Sequence, residues 1–207
     1  MTLLLDIDGV LIGWYQNPGE ESGFSDWKLA APGQFAVKWT SAEQLALISE
    51  TFQDIHWHTT WIQPAYGKER FVERFTEWFD FGPHPVLVDQ LETEAGRPHW
   101  GDKPSPGDQW LVAPGYTLAV PIEVVPEPLW VPLHEAFWWK LNAVAALLAT
   151  DRLPGKIVWV DDDIPTSRQE VFEVLRYFDA VDRFRLVAPR DVFTRTQIEE
   201  AAEWLQS

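Results

Sequence analysis

Residues 2–13 read TLLLDIDGVLIG. Leu3 to Ile7 form an apolar run suited to a buried strand, and the run drives straight into Asp6 and Asp8. Like charges held one residue apart repel, and each carboxylate resists burial. Gly9 follows at once, a residue that lets the backbone turn and approach a ligand closely. A strand that ends this way implies that something at its tip compensates two negative charges.

The same ending recurs downstream. Residues 155–163, GKIVWVDDD, are a second buried strand running into acids, and residues 54–61, DIHWHTTW, are a strand ending in the hydroxyls of Thr59 and Thr60. RFRLVAP at 183–189 reads as a further strand. Between these lie helical patterns. TSAE at 40–43 reads as a capping box, with Leu45, Ile48 and Phe52 following at helical spacing. KERFVERFTEWF places Phe71, Phe75 and Phe79 at steps of four. LHEAFWWKLNAVAALLA puts Phe137, Leu141, Val144 and Leu148 on one face, and Trp138 and Trp139 are expected to divide between core and surface. SRQEVFEVLRYF is another helix, and the closing one is capped by Thr194 with Gln197 and buried through Ile198, Ala202 and Leu205.

Strands alternating with helices predict an α/β fold with a central parallel sheet and helices on both faces. Ligands of such sheets sit at the carboxyl ends of the strands, and the three polar strand ends should share that edge. Two stretches stand apart. FSDWKLA and QFAVKW flank a Pro-Gly turn, predicting a hairpin flap within 13–40, and the Pro- and Gly-rich segment 82–132 reads as an irregular insertion or small cap. Within it, PVLVDQL is a candidate core strand and YTLAVPIEVV a part of the insertion. The rest reads as a single domain over 1–207, a length that allows a sizeable core.

Composition narrows the partners. With 32 acids against 16 Lys plus Arg the net charge is -16, which repels polyanions and disfavours long nucleic acid. The absence of Cys excludes disulfides, thiolate metal sites and cysteine nucleophiles. No apolar run approaches the roughly 18 residues of a membrane span, and no signal-like segment opens the chain, so the expected location is cytoplasmic. The 13 Trp and 12 Phe are read first as core packing and second as platforms for a flat substrate.

The acids of two strand ends converging on one edge make a hard-oxygen site suited to Mg²⁺, which prefers oxygen ligands. The candidates are Asp6 and Asp8 from the first strand and Asp161, Asp162 and Asp163 from the other. Such a cation beside a carboxylate, a threonine and a lysine is suited to phosphoryl transfer, where charge develops on phosphoryl oxygens. A carboxylate can also attack phosphorus and form an aspartyl-phosphate. His56 and His58 lie two apart and could pair on a metal, but packing against neighbours is the plainer reading.

In this order LLLDIDGVL, IHWHTTW, a helix carrying Lys140, and IVWVDDD resemble the four motifs of the haloacid dehalogenase (HAD) superfamily. The resemblance implies a Rossmann-like three-layer sandwich and the following roles. Asp6 would be the nucleophile, and Asp8 the acid that protonates the leaving group and then the base that activates water. Thr59, or Thr60 one residue on, would bind the phosphoryl group, and Lys140 would hold the nucleophile and phosphate. Asp162, with Asp161 as the neighbouring choice, would bind Mg²⁺ together with Asp6 and the Asp8 backbone carbonyl. Asp8 marks a phosphatase rather than a dehalogenase, so the expected activity is hydrolysis of a small phosphorylated metabolite or nucleotide.

Other readings carry different consequences. WHTTW, WVDDDI and FTRTQIEEAAEWL are also similar to compact members found in RNA-repair proteins, which would put the phosphate on a nucleic-acid end. A non-catalytic HAD-like binding or regulatory protein would keep the fold without turnover. A glycosyltransferase could use Asp6-x-Asp8 to hold a metal–nucleotide sugar, although that motif rarely stands at the start of a chain.

Overall fold

A computed structural model describes residues 1–13, 20–29, 39–59, 71–91, 110–112, 119–121, 125–129, 133 and 138–207. The chain groups into two compact units, each assembled from segments distant in sequence: Met1–Pro85, Lys156–Pro165 and Phe184–Ser207 form the first, and Val86–Gly155 with Thr166–Arg183 the second.

The first unit is built on a four-stranded parallel sheet. Strands β1 (Thr2–Leu5), β4 (Ile55–Trp57), β7 (Ile157–Val160) and β8 (Phe184–Val187) lie in the order β4-β1-β7-β8. The register sets Leu5 beside Trp57 on one side and beside Val160 on the other. Every residue of β1 and of β7 is buried, which explains why both strands read as unbroken apolar runs rather than as alternating patterns. Because the chain passes from β1 to one neighbour and later to the other, the order reverses at β1, where open α/β sheets form a ligand crevice.

Two helices of this unit pack on each other, α1 (Ala42–Thr51) and α5 (Arg195–Gln206), and α5 also packs on β7 and β8. Helix α5 has the capping box expected from the sequence, with the Thr194 hydroxyl accepting from the Gln197 N–H and the Gln197 side chain accepting from the Thr194 N–H. Its buried stripe is Ile198, Ala201 and Leu205; Ala202, expected inside, is half-buried, because the stripe turns by one residue at its middle. Helix α1 starts one residue later than TSAE suggested. Ser41 is the N-cap, accepting from the Gln44 N–H at 3.1 Å, so the Thr40–Glu43 box does not form. Asp26 extends the cap: it accepts from the Ser41 hydroxyl and, at 3.1 Å, from the Glu43 N–H.

Helix α2 (Phe71–Phe79) carries Phe75, whose ring meets Trp57 edge-on at 5.7 Å, fixing the helix against the end of β4. The hairpin flap has its stem: β2 (Lys28–Leu29) pairs antiparallel with β3 (Trp39–Thr40), and its tip lies outside the described residues.

The second unit contains α3 (Trp139–Ala149), α4 (Arg168–Tyr177) and an antiparallel pair, β5 (Trp110–Val112) and β6 (Ala119–Pro121). Residues Trp139–Leu147 of α3 are all buried, the mark of a helix covered on every side. Trp138 is buried with Trp139, so the two do not divide between core and surface; the apolar surroundings of α3 leave no exposed face for either ring. Leu148, expected on the buried face, is half-buried near the helix end, and Phe137 lies outside the described residues. PVLVDQL is not a strand. Leu87–Leu91 is a 3-10 helix, entered through the turn closed by Asp89 N–H on Val86 C=O at 3.2 Å, and just before it the Trp57 N–H donates to Pro85 C=O at 2.8 Å. A run of so few apolar residues cannot distinguish the two states. Among the described residues the chain is thus mixed α/β, with five α-helices and one all-parallel four-stranded sheet, compatible with a Rossmann-like fold.

Candidate metal centre at the carboxyl edge of the sheet

The parallel ladder continues one residue beyond each strand. The His58 N–H donates to Leu5 C=O at 2.9 Å, the Asp6 N–H to Val160 C=O at 3.1 Å and the Asp161 N–H to Val187 C=O at 3.0 Å. His58, Asp6 and Asp161 therefore form a row across the carboxyl edge, and residues in register across a sheet share a face. The backbone fixes this row before any side chain contributes.

Asp6 and Asp161 are buried, at 4 % and 0 % exposure, and Asp162 is half-buried beside them. The three offer one carboxylate oxygen each, and these oxygens lie within 4.8 Å of one another. Each carboxylate is oriented locally. The Ile7 N–H donates to Asp6 Oδ1 at 2.8 Å, and the Asp163 N–H donates to Asp161 Oδ1 at 3.0 Å. Of the triple acid, then, Asp161 and Asp162 join Asp6, while Asp163 is exposed and helps through its backbone. Three carboxylates this close repel in the charged state, so the arrangement is suited to a divalent cation with oxygen preference. The donor set fits Mg²⁺: all oxygen, few protein ligands, and one side toward solvent at Asp162.

The turn after β1 shapes the remaining wall. Ile7 C=O accepts from the N–H groups of Val10, Leu11 and Ile12, and Gly9 N–H donates to Ile12 C=O at 3.0 Å. Gly9 sits at φ +66, in the left-handed region, and a Cβ on it would stand 2.5 Å from Asp162 Cγ. Glycine is therefore required twice, for the turn and for the space that Asp162 occupies. Asp8 is half-buried within this turn, and its carboxylate is not one of the three clustered groups.

Thr59, one residue beyond His58, is fully buried, which sets it apart from a solvated turn threonine. Thr60 lies outside the described residues. Lys140 belongs to the second unit, in the first turn of α3, and is 1 % exposed with its Nζ 5.9 Å from the centre of the Trp138 ring. A lysine so deeply buried is not an ordinary helix-surface residue. The two histidines meet different neighbours. His56 bonds Asp54 at 2.9 Å, and His58 packs on Trp159 with ring centres 5.3 Å apart. Burial, with His56 nearby, pushes the His84 imidazole below its ordinary pKa.

One contributor carries no sequence signal. Gln44, fully buried on α1, donates through Nε2 to Val10 C=O at 3.1 Å and to Phe193 C=O at 2.7 Å, while the Phe193 N–H donates to Val10 C=O at 2.8 Å. These bonds tie the turn after β1 to the loop after β8, two segments 183 residues apart in the chain (193 minus 10). A lone glutamine at a helix start looks like a surface residue, and only its neighbours in space reveal this use.

No family model, curated protein or solved structure matches the chain. Among the described residues no helix is long and apolar enough to cross a membrane.

Proposed function

We propose that this protein is a Mg²⁺-dependent phosphatase of HAD type that hydrolyses a phosphate monoester through an aspartyl-phosphate on Asp6. The finer fold assignment, a three-layer HAD-like sandwich, belongs to the same proposal. The observation that carries it is the cluster of Asp6, Asp161 and Asp162, whose oxygens lie within 4.8 Å of one another at the carboxyl edge of β1 and β7. Its place beside a DxDG turn, with a buried threonine ending the neighbouring strand, is what a phosphoryl-transfer site needs.

Asp6, Asp161, Asp162 and the Asp8 carbonyl would hold the cation, which supplies neutralisation of the carboxylates and of the phosphoryl oxygens. In the first half-reaction an Asp6 carboxylate oxygen attacks phosphorus. The bond from phosphorus to the ester oxygen breaks, and Asp8 donates a proton to that leaving oxygen. In the second, Asp8 takes a proton from water as the water oxygen attacks the phosphorus of the aspartyl-phosphate, releasing inorganic phosphate and restoring Asp6. Thr59 donates a hydrogen bond to a phosphoryl oxygen. Lys140 is assigned to charge neutralisation on the motif resemblance alone, supported by its burial. The substrate is a small phosphorylated molecule, since a net charge of -16 disfavours a polyanion.

The test is phosphate release from an aryl phosphate and from a panel of metabolite and nucleotide esters, with and without Mg²⁺. Turnover that requires the metal and falls by at least about 10³-fold in Asp6→Asn is expected, since that substitution removes the nucleophile. Turnover that survives in Asp6→Asn overturns the nucleophile assignment. Absence of turnover on every ester overturns the phosphatase in favour of a binding protein.

A further inference from the structure

Beside the acid cluster, within the first unit, the same sheet edge carries a cavity of about 340 Å³. Its walls come from the loop after β8 (Arg190, Asp191), the start of α5 (Thr194, Gln197) and the Glu20–Ser22 turn (Glu21, Ser22). The volume is at the small end of ligand pockets. The loop begins at Ala188, one residue past the Val187 carbonyl that receives the Asp161 N–H, so this wall of the cavity starts on the strand next to the one that carries Asp161.

The walls are held in place. Gln44 and Val10 bind the Phe193 backbone, as described above, tying the loop to the turn that carries Asp8. On the other side Arg195 Nε donates to Gly23 C=O at 3.1 Å, and its guanidinium lies 4.8 Å from the centre of the Phe24 ring, fixing the Glu20–Ser22 turn to α5. A pocket held on both sides is pre-formed, which lowers the entropic cost of binding.

Two charged groups stand out in the lining. Asp191 Oδ1 is buried and makes no hydrogen bond among the described residues. Burying an acceptor without a donor costs free energy, and such an atom calls for a partner. Arg190 is exposed on the lining. Around them stand a second carboxylate, Glu21, the hydroxyls of Ser22 and Thr194 and the amide of Gln197. Among the described residues the lining is polar apart from Ala188 and Val192. Carboxylates accept from hydroxyl groups and repel a second phosphate, while a guanidinium and an amide donate to hydroxyl oxygens.

We infer that this cavity holds the leaving group of the substrate, and that the substrate is a sugar or polyol monophosphate rather than a bisphosphate. The inference rests on the phosphatase reading, with the phosphoryl group at Asp6 and the hydroxyl-bearing remainder between Asp191 and Arg190.

The experiment compares glucose 6-phosphate, glycerol 3-phosphate, adenosine monophosphate, fructose 1,6-bisphosphate and 4-nitrophenyl phosphate in the wild type, Asp191→Ala and Arg190→Ala. Binding of each ester to the wild type and to both variants is followed in parallel by calorimetric titration in the presence of Mg²⁺. The expected result is that a sugar or polyol monophosphate is preferred. Its kcat/KM, divided by that of the aryl ester, should fall about tenfold in each variant, the loss of one hydrogen bond to a charged group. A preference for adenosine monophosphate or the bisphosphate overturns the inference, and so does a ratio that does not move. If no ester is turned over yet the monophosphates bind, and bind about tenfold more weakly in both variants, the phosphatase reading fails while the pocket assignment stands. If none binds, both fail.

Discussion

Gly9 and Asp162 show how much of this site depends on single atoms. The left-handed turn at Gly9 and the space beside it are used by Asp162, so an alanine there meets two penalties at once. The strained φ costs about 1–2 kcal/mol, and the added carbon pushes the Asp162 carboxylate out of reach of its partners. Gly9→Ala is expected to weaken Mg²⁺ binding by about 10–100-fold, the effect of disturbing the support of a metal ligand. Calorimetric titration of the metal into the folded variant checks this; unaltered affinity would show that Asp162 does not ligate. The three clustered acids themselves were legible as candidates, because carboxylates that end two apolar strands of a parallel sheet gather at its carboxyl edge. Which of Asp161, Asp162 and Asp163 takes part was not legible, since three consecutive acids look alike until the backbone turns.

Among the elements, α1 illustrates a signal read one residue out of register. The pattern at Thr40–Glu43 gives the helix start correctly to within a residue, but Ser41 is the cap and a distant carboxylate, Asp26, completes it. Ser41→Ala should destabilise the protein by about 1–2 kcal/mol in denaturant unfolding. Burial pushes the Asp26 carboxyl up, but the Ser41 hydroxyl and the backbone N–H groups of Glu43 and Ala42 outweigh it, and the group sits below the ordinary 3.8. A depressed carboxyl binds fewer protons folded than unfolded, so its stabilisation is present above pH 3.8 and fades as the pH falls through the folded value. The stability advantage of the wild type over Asp26→Asn is accordingly expected at neutral pH and should shrink on acidification in that range. An advantage that grows on acidification would contradict the cap. The misread PVLVDQL belongs to this scale too. Three apolar residues between prolines and an Asp suit a strand or a 3-10 turn equally; Pro85 C=O accepts from the Trp57 N–H at the edge of β4, and the chain then turns into the Leu87–Leu91 3-10 helix.

For the whole molecule, the cation and the excess of acid are linked. Asp6, Asp161 and Asp162 are held together against their own repulsion, in a chain whose net charge is already -16. Mg²⁺ that binds only the folded state should raise the unfolding free energy by about 2.7 kcal/mol at a hundred times its Kd. Thermal unfolding with and without the metal would measure it. Asp162→Asn should abolish the shift and, without metal, leave the protein as stable as the wild type or more so, because one of three repelling charges is gone. A metal-free Asp162→Asn that is markedly less stable would mean that the carboxylate is held by protein donors instead.

By itself the sequence determined the strands β1, β4, β7 and β8, the helices that alternate with them, the parallel sheet these imply and the acids at its carboxyl edge. Those features are local: apolar runs, helical spacing and a glycine after two acids act on the chain wherever it lies. Tertiary structure alone decided the row of His58, Asp6 and Asp161, the burial of Lys140 and of both Trp138 and Trp139, the use of Gln44 as a tie between two loops, and the cavity around Asp191. Each of these depends on which segments meet across long sequence separations. A buried side chain's role is set by the donors and acceptors that reach it from elsewhere, and no pattern within its own segment records them.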